Sequence, residues 1–124
     1  MAKKILVVDD EGMIVKLLSI RLESLGYKIV SAFDGVEGLE MAKSEQPDLL
    51  ILDLGLPRMD GNTLCEIIKT DPSTKHMKVI MLTGNKLVGD MEKSFSAGAD
   101  AYINKPYDWQ RLAAHIHELL GEPK

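Results

Sequence analysis

Three uninterrupted apolar runs constrain this chain more than any other feature. They are Ile5-Leu6-Val7-Val8, Leu49-Leu50-Ile51-Leu52 and Val79-Ile80-Met81-Leu82. Short runs of Val, Ile and Leu with no polar alternation read as strands buried on both faces. Lys28–Ala32 and Ala101–Asn104 are weaker strand candidates. The gaps between them carry helical spacing. Ile14, Leu17, Leu18, Arg21, Leu22 and Leu25 recur at three- and four-residue steps, and Gly26 supplies a stop. Val36, Leu39 and Ala42 precede Pro47, and Leu64, Ile67 and Ile68 precede Asp71-Pro72. Val88, Met91, Phe95 and Ala99 make a fourth helix with Gly98 near its end. Leu112, Ile116, Leu119 and Leu120 make a fifth, closed by Gly121 and Pro123. Strand and helix alternate five times, which predicts a doubly wound α/β fold with a parallel sheet between two layers of helices. No linker or repeat interrupts the pattern, so residues 1–124 read as one domain.

A chain of 124 residues buries enough surface to fold without a metal or disulfide staple. The single Cys65 forms no internal disulfide and no zinc site, and a reducing, cytoplasmic setting fits it. The formal net charge of −4 argues against a basic face for nucleic acid. Lys3 and Lys4 precede an apolar run too short for a signal peptide, and no run is long enough to span a membrane.

In open α/β sheets, ligands bind beyond the carboxyl ends of the strands. Asp9, Asp10 and Glu11 come directly after the first strand, and Asp53 ends the third. Thr83-Gly84 closes the fourth and Lys105-Pro106 the fifth. The second leads into nothing distinctive, Phe33-Asp34-Gly35. Carboxylates gathered at one edge repel one another, so either some hold protons or a cation joins them. Aspartate oxygens with a backbone carbonyl suit Mg²⁺. A strand-end carboxylate beside a cation and a lysine can attack phosphorus, while Lys105 and Thr83 stabilise the transferred oxygens.

These segments resemble the receiver domain of two-component response regulators, over essentially the whole chain. The matching stretches are Val7–Glu11, Asp53-Leu54-Gly55-Leu56-Pro57-Arg58-Met59-Asp60-Gly61, Leu82-Thr83-Gly84 and Gly98–Pro106. The resemblance implies the flavodoxin-like strand order 2-1-3-4-5. It implies that a histidine kinase or histidine phosphotransfer protein donates a phosphoryl group to Asp53. It further implies Mg²⁺ held by Asp9, Asp10, Asp53 and the carbonyl of Gly55, with Thr83 and Lys105 on the phosphoryl oxygens. Thr83 and Tyr102 would then act as the switch, Tyr102 turning inward. The face built from the fourth helix, fifth strand and fifth helix would change shape for a downstream protein target. The chain would be a monomer or a phosphorylation-dependent dimer, with no direct contact to nucleic acid or membrane. Pro106 is expected after a cis peptide. Gly84 stands where the family commonly has alanine, and Gly55 and Asn85 stand where it tunes dephosphorylation.

Simpler roles compete at each position. Asp9, Asp10 and Glu11 could cap a helix, Asp53 and Thr83 could close turns, and Lys105 could be solvated. Pro57, Asp60 and Gly61 read as turn and cap residues. Cys65 reads as a core thiol, His76, His115 and His117 as solvated, and Trp109 as packing at the start of the last helix. Two other functions stay open: a receiver-shaped scaffold that works without phosphate, and a piece of a longer regulator with a DNA-binding or enzymatic output. An enzyme of the same topology fits poorly. The acidic loop after the first strand would repel a flavin phosphate, and an Asp-x-Asp phosphatase needs an aspartate where Gly55 stands.

Overall fold

The computed structural model describes residues 2–84, 90–105 and 107–121. Expectations for Asn85, Val88, Pro106 and Pro123 lie outside these residues, as does the side chain of Met91. Five strands alternate with five helices in chain order. They are β1 (Lys4–Val8), α1 (Gly12–Ser24), β2 (Lys28–Ala32), α2 (Gly35–Glu45), β3 (Leu49–Leu52), α3 (Gly61–Thr70), β4 (Lys78–Thr83), α4 (Asp90–Ser96), β5 (Ala101–Asn104) and α5 (Trp109–Leu120). The sheet is parallel throughout, in the order β2-β1-β3-β4-β5. This is the expected doubly wound topology.

The apolar runs are uninterrupted because each feeds two cores. Leu6, Val8, Leu50, Leu52, Val79 and Met81 pack with Leu64, Cys65 and Ile68 of α3 and Ala42 of α2. Ile5, Val7, Leu49, Ile51, Ile80 and Leu82 point the other way, onto Val15, Leu18 and Leu22 of α1 and Leu112 and Ile116 of α5. Alternate residues of a strand face opposite sides, so a polar residue in any run would be buried.

Two helices turn a different face inward than their spacing suggests. In α1 the sheet side is Val15, Leu18 and Leu22, while Leu17 and Leu25 are about half exposed. Met13, Leu17 and Ile20 form a second apolar stripe on the outer side, with Met13 83% exposed. Periodicity identifies a helix but does not say which of two adjacent apolar stripes meets the sheet. In α4 Phe95 is exposed and Ser94 is fully buried. The Ser94 hydroxyl donates to Asn62 Oδ1 on α3 at 2.9 Å, so a hydrogen bond takes the place of an apolar contact. Among the described residues, no helix is long and apolar enough to cross a membrane.

Candidate functional site

The sheet register brings the strand ends together. Val8 is paired with Ala32 on one side and Leu52 on the other. Beyond these pairs Asp9 N–H donates to Ala32 O at 3.2 Å and Asp53 N–H to Val8 O at 3.0 Å. The strands therefore set Asp9 and Asp53 side by side. On the far side Lys105 N–H donates to Thr83 O at 2.7 Å, which fixes the β5 exit against the β4 exit.

Asp9, Asp10 and Asp53 each offer an oxygen within 4.8 Å of the others, the one such grouping of metal-ligating side chains among the described residues. Asp9 is 3% exposed, and Asp10 is open to solvent. This donor set, all oxygen and partly solvated, fits a hard divalent cation such as Mg²⁺. Lys105 Nζ enters from the other side. It lies 2.7 Å from Asp9 Oδ2, 3.5 Å from Glu11 Oε1 and 3.9 Å from Asp53 Oδ2. Burial works against the Lys105 charge. Its hydrogen bond and attraction to Asp9, helped by Asp53 and Glu11, outweigh that and hold its pKa above the ordinary lysine value.

Asp53 behaves differently. Desolvation pushes its pKa up, and the Asp9 charge adds to this. Lys105, the Gly55 amide and the Thr83 hydroxyl all pull it down without cancelling the rise. The geometry gives the reason: Lys105 directs its short contact to Asp9 and stands off from Asp53. Asp53 is thus a partly desolvated carboxylate held by two donors.

The other expected residues occupy varied surroundings. Thr83 is 1% exposed and bonded to Asp53. Gly55 is open to solvent, with nothing near the place a side chain would occupy. A methyl group at Gly84 would touch only Lys105 Cβ at 4.0 Å, so alanine would fit there as well. Tyr102 already lies inward, 8% exposed, in the core with Met81. The capping alternative for the acidic trio is not seen: Glu11 is the N-cap of α1 and makes no side-chain cap bond, while Asp9 Oδ1 accepts from Glu11 N–H at 2.9 Å. Asp60 does cap α3, accepting from Thr63 N–H at 2.9 Å. Burial pushes the Cys65 thiol up to about 12, as suits a core thiol. Trp109 carries the Arg21 guanidinium 5.2 Å over its ring. His76 and His117 are exposed, and His115 is half-buried. The contact of Glu11 with Lys105 has no signal in the sequence, because nothing there shows how far Lys105 reaches.

Known proteins match this chain along nearly its whole length. The family model for the response regulator receiver domain matches residues 5–117. The chain is 41% identical to the DNA-binding dual master transcriptional regulator RpaA of Synechocystis, over 94% of this chain and 48% of that protein. It thus spans about half the length of that relative. A response regulator receiver domain protein of Methanospirillum hungatei superposes with a TM-score of 0.89 at 36% identity, covering 95% of this chain and 93% of that one. The receiver domain of a Pseudomonas aeruginosa sensor histidine kinase superposes with a TM-score of 0.88 at 28% identity, covering 98% and 100%. That structure has a magnesium ion coordinated in its active site cleft.

Proposed function

The chain belongs to the response regulator receiver family, and we propose that it accepts a phosphoryl group on Asp53 and signals through protein contact. One observation carries this reading. Three aspartates share a pocket with Lys105, and this lysine is spent on Asp9 rather than Asp53. A partner histidine kinase or histidine phosphotransfer protein presents a phosphohistidine. An Asp53 oxygen attacks phosphorus in line, the O–P bond forms, the P–N bond breaks, and the electron pair returns to the imidazole. Asp9, Asp10, Asp53 and the Gly55 carbonyl would hold Mg²⁺, which when bound supplies charge neutralisation for the phosphoryl oxygens. Lys105 swings its ammonium toward the new anion, and Thr83 donates its hydroxyl to it. Thr83 and Tyr102 then bias the α4-β5-α5 face between two packings, which a downstream protein reads. Incubation with acetyl phosphate and Mg²⁺ should add the mass of one phosphoryl group, and a chelator should prevent it. Equal addition with and without the metal contradicts the metal-assisted reading.

The donor needs a surface beside the site. Ile14, Leu17, Arg21, Lys105, Tyr107 and Trp109 line a groove there. It adjoins a second groove of about 520 Å³ along Met13, Leu17 and Ile20. Lys105 thus links the exposed stripe of α1 to the phosphoacceptor pocket. Leu17→Asp is expected to slow transfer from a phosphohistidine protein about tenfold or more by burying a charge in that contact. Its rate with acetyl phosphate should stay unchanged, because a small donor does not cover the stripe. The relative of about twice this length makes a joined output segment a second reading. The full open reading frame tests it.

A further inference from the structure

The turn after β2 brings no group into the pocket, yet it is fastened to the segment beyond Asp53. Gly35 N–H donates to Pro57 O at 3.1 Å. Arg58 Nη1 pairs with Asp34 Oδ2 at 3.2 Å. A β-carbon on Gly35 would collide with the Met59 carbonyl and stand 2.6 Å from Met59 Cβ, closer than real β-carbons approach. Only glycine lets these two loops meet at this distance. On the other flank Gly61 N–H donates to Leu54 O at 2.8 Å, and a β-carbon there would collide with the Asp53 carbonyl.

The turn itself is stiff. Asp34 Oδ1 accepts from Glu37 N–H at 2.8 Å, and Glu37 Oε1 accepts from Phe33 N–H at 2.7 Å. The first caps α2 and the second ties the Glu37 side chain back to the residue before the cap, so Phe33, Asp34 and Glu37 are held together. The braced segment, by contrast, is strained. Arg58 has φ +68°, a left-handed conformation that a residue with a long side chain adopts only where its surroundings hold it. Between this brace and Asp53 lies Gly55, whose amide bonds the Asp53 carboxylate.

We infer that the β2–α2 turn positions the Asp53-to-Gly61 loop: Gly35 sets its approach, and the Arg58–Asp34 pair holds its strained crest, so that Gly55 faces the acidic pocket. Both are positioning residues and touch no reacting atom. The inference rests on the Mg²⁺ site proposed above. Supporting groups of this kind commonly change metal affinity about ten- to a hundredfold.

Titration of Mg²⁺ into the protein, followed by amide chemical shifts, tests this without any turnover. Gly35→Ala is expected to weaken Mg²⁺ about tenfold while still melting cooperatively. Arg58→Ala should weaken it about threefold, the modest effect of an exposed pair, and Arg58→Lys should restore it. Ile116→Ala, a core change on α5 at the other face of the sheet, should lower Tm and leave Mg²⁺ affinity alone. A folded Gly35→Ala that binds Mg²⁺ as the wild type does overturns the inference. If Gly35→Ala does not fold, Arg58→Ala decides in the same way. A wild-type protein that binds no Mg²⁺ overturns the proposed site itself and this inference with it.

Discussion

Asp53→Asn is expected to fold, to gain no phosphoryl group from acetyl phosphate or a phosphohistidine protein, and to melt above the wild type at neutral pH. The loss of phosphorylation follows from the proposed role of Asp53 as nucleophile, since a carboxamide oxygen does not form the acyl phosphate. The higher melting temperature comes from electrostatics. Desolvation, and next to it the charge of Asp9, raise the Asp53 pKa in the folded protein above its ordinary 3.8. The unfolded chain therefore releases this proton at lower pH than the folded chain does. Between the two values the folded state holds more protons, so stability falls as pH rises through that window. Below 3.8 the penalty is absent, and above the raised value it is complete. Asn carries no charge to desolvate. Thermal melts in chelator at several pH values should show the two proteins converging in acid and separating toward neutrality. Parallel melts across that range, or a phosphoryl adduct on Asp53→Asn, contradict this account.

Lys105→Met should cost more than any other change at the site. It removes the ammonium 2.7 Å from Asp9, a carboxylate only 3% exposed. Taking one partner from a buried pair leaves an uncompensated charge and typically costs about 3–5 kcal/mol. With Glu11 and solvent near, the lower end applies, so Tm should fall by roughly 10 °C. Added Mg²⁺ should recover part of the loss. In the wild type the raised Lys105 pKa means the pair contributes fully below 10.5 and is lost only in more alkaline solution. Phosphoryl transfer should slow about a hundredfold, because in the proposed mechanism the phosphoryl oxygens lose the Lys105 ammonium. Lys105→Arg keeps the charge on a wider, planar group, so it should recover stability better than rate. Unchanged melting of Lys105→Met would show that Asp9 needs no cation.

Much of this was legible in the residues. The three central strands fall where the apolar runs lie, because a strand buried on both faces tolerates no polar position. Asp9, Asp53, Thr83 and Lys105 each sit at a strand exit, and parallel strands open all their exits to one edge. Helix faces were less legible. Leu17 and Val15 are both apolar neighbours on α1, and only contact with the sheet decides that Val15 is buried and Leu17 exposed. Phe95 and Ser94 make the same point on α4, where a hydrogen bond to Asn62 outweighs apolar burial.

By itself, then, the chain's order of residues determined the α/β class, the parallel sheet and the set of groups at its edge. These depend on local periodicity and on the residues at each strand's exit. The tertiary structure alone decided which groups pair. Lys105 reaches Asp9 and leaves Asp53 short of a close cation, a choice between 2.7 Å and 3.9 Å that no spacing encodes. Phe33-Asp34-Gly35, without distinction as a sequence, turns out to be packed against the loop behind Asp53. The physical reason is common to both. Periodicity is set by bonded neighbours, whereas pairing and close approach depend on surfaces that meet only when distant segments are packed together.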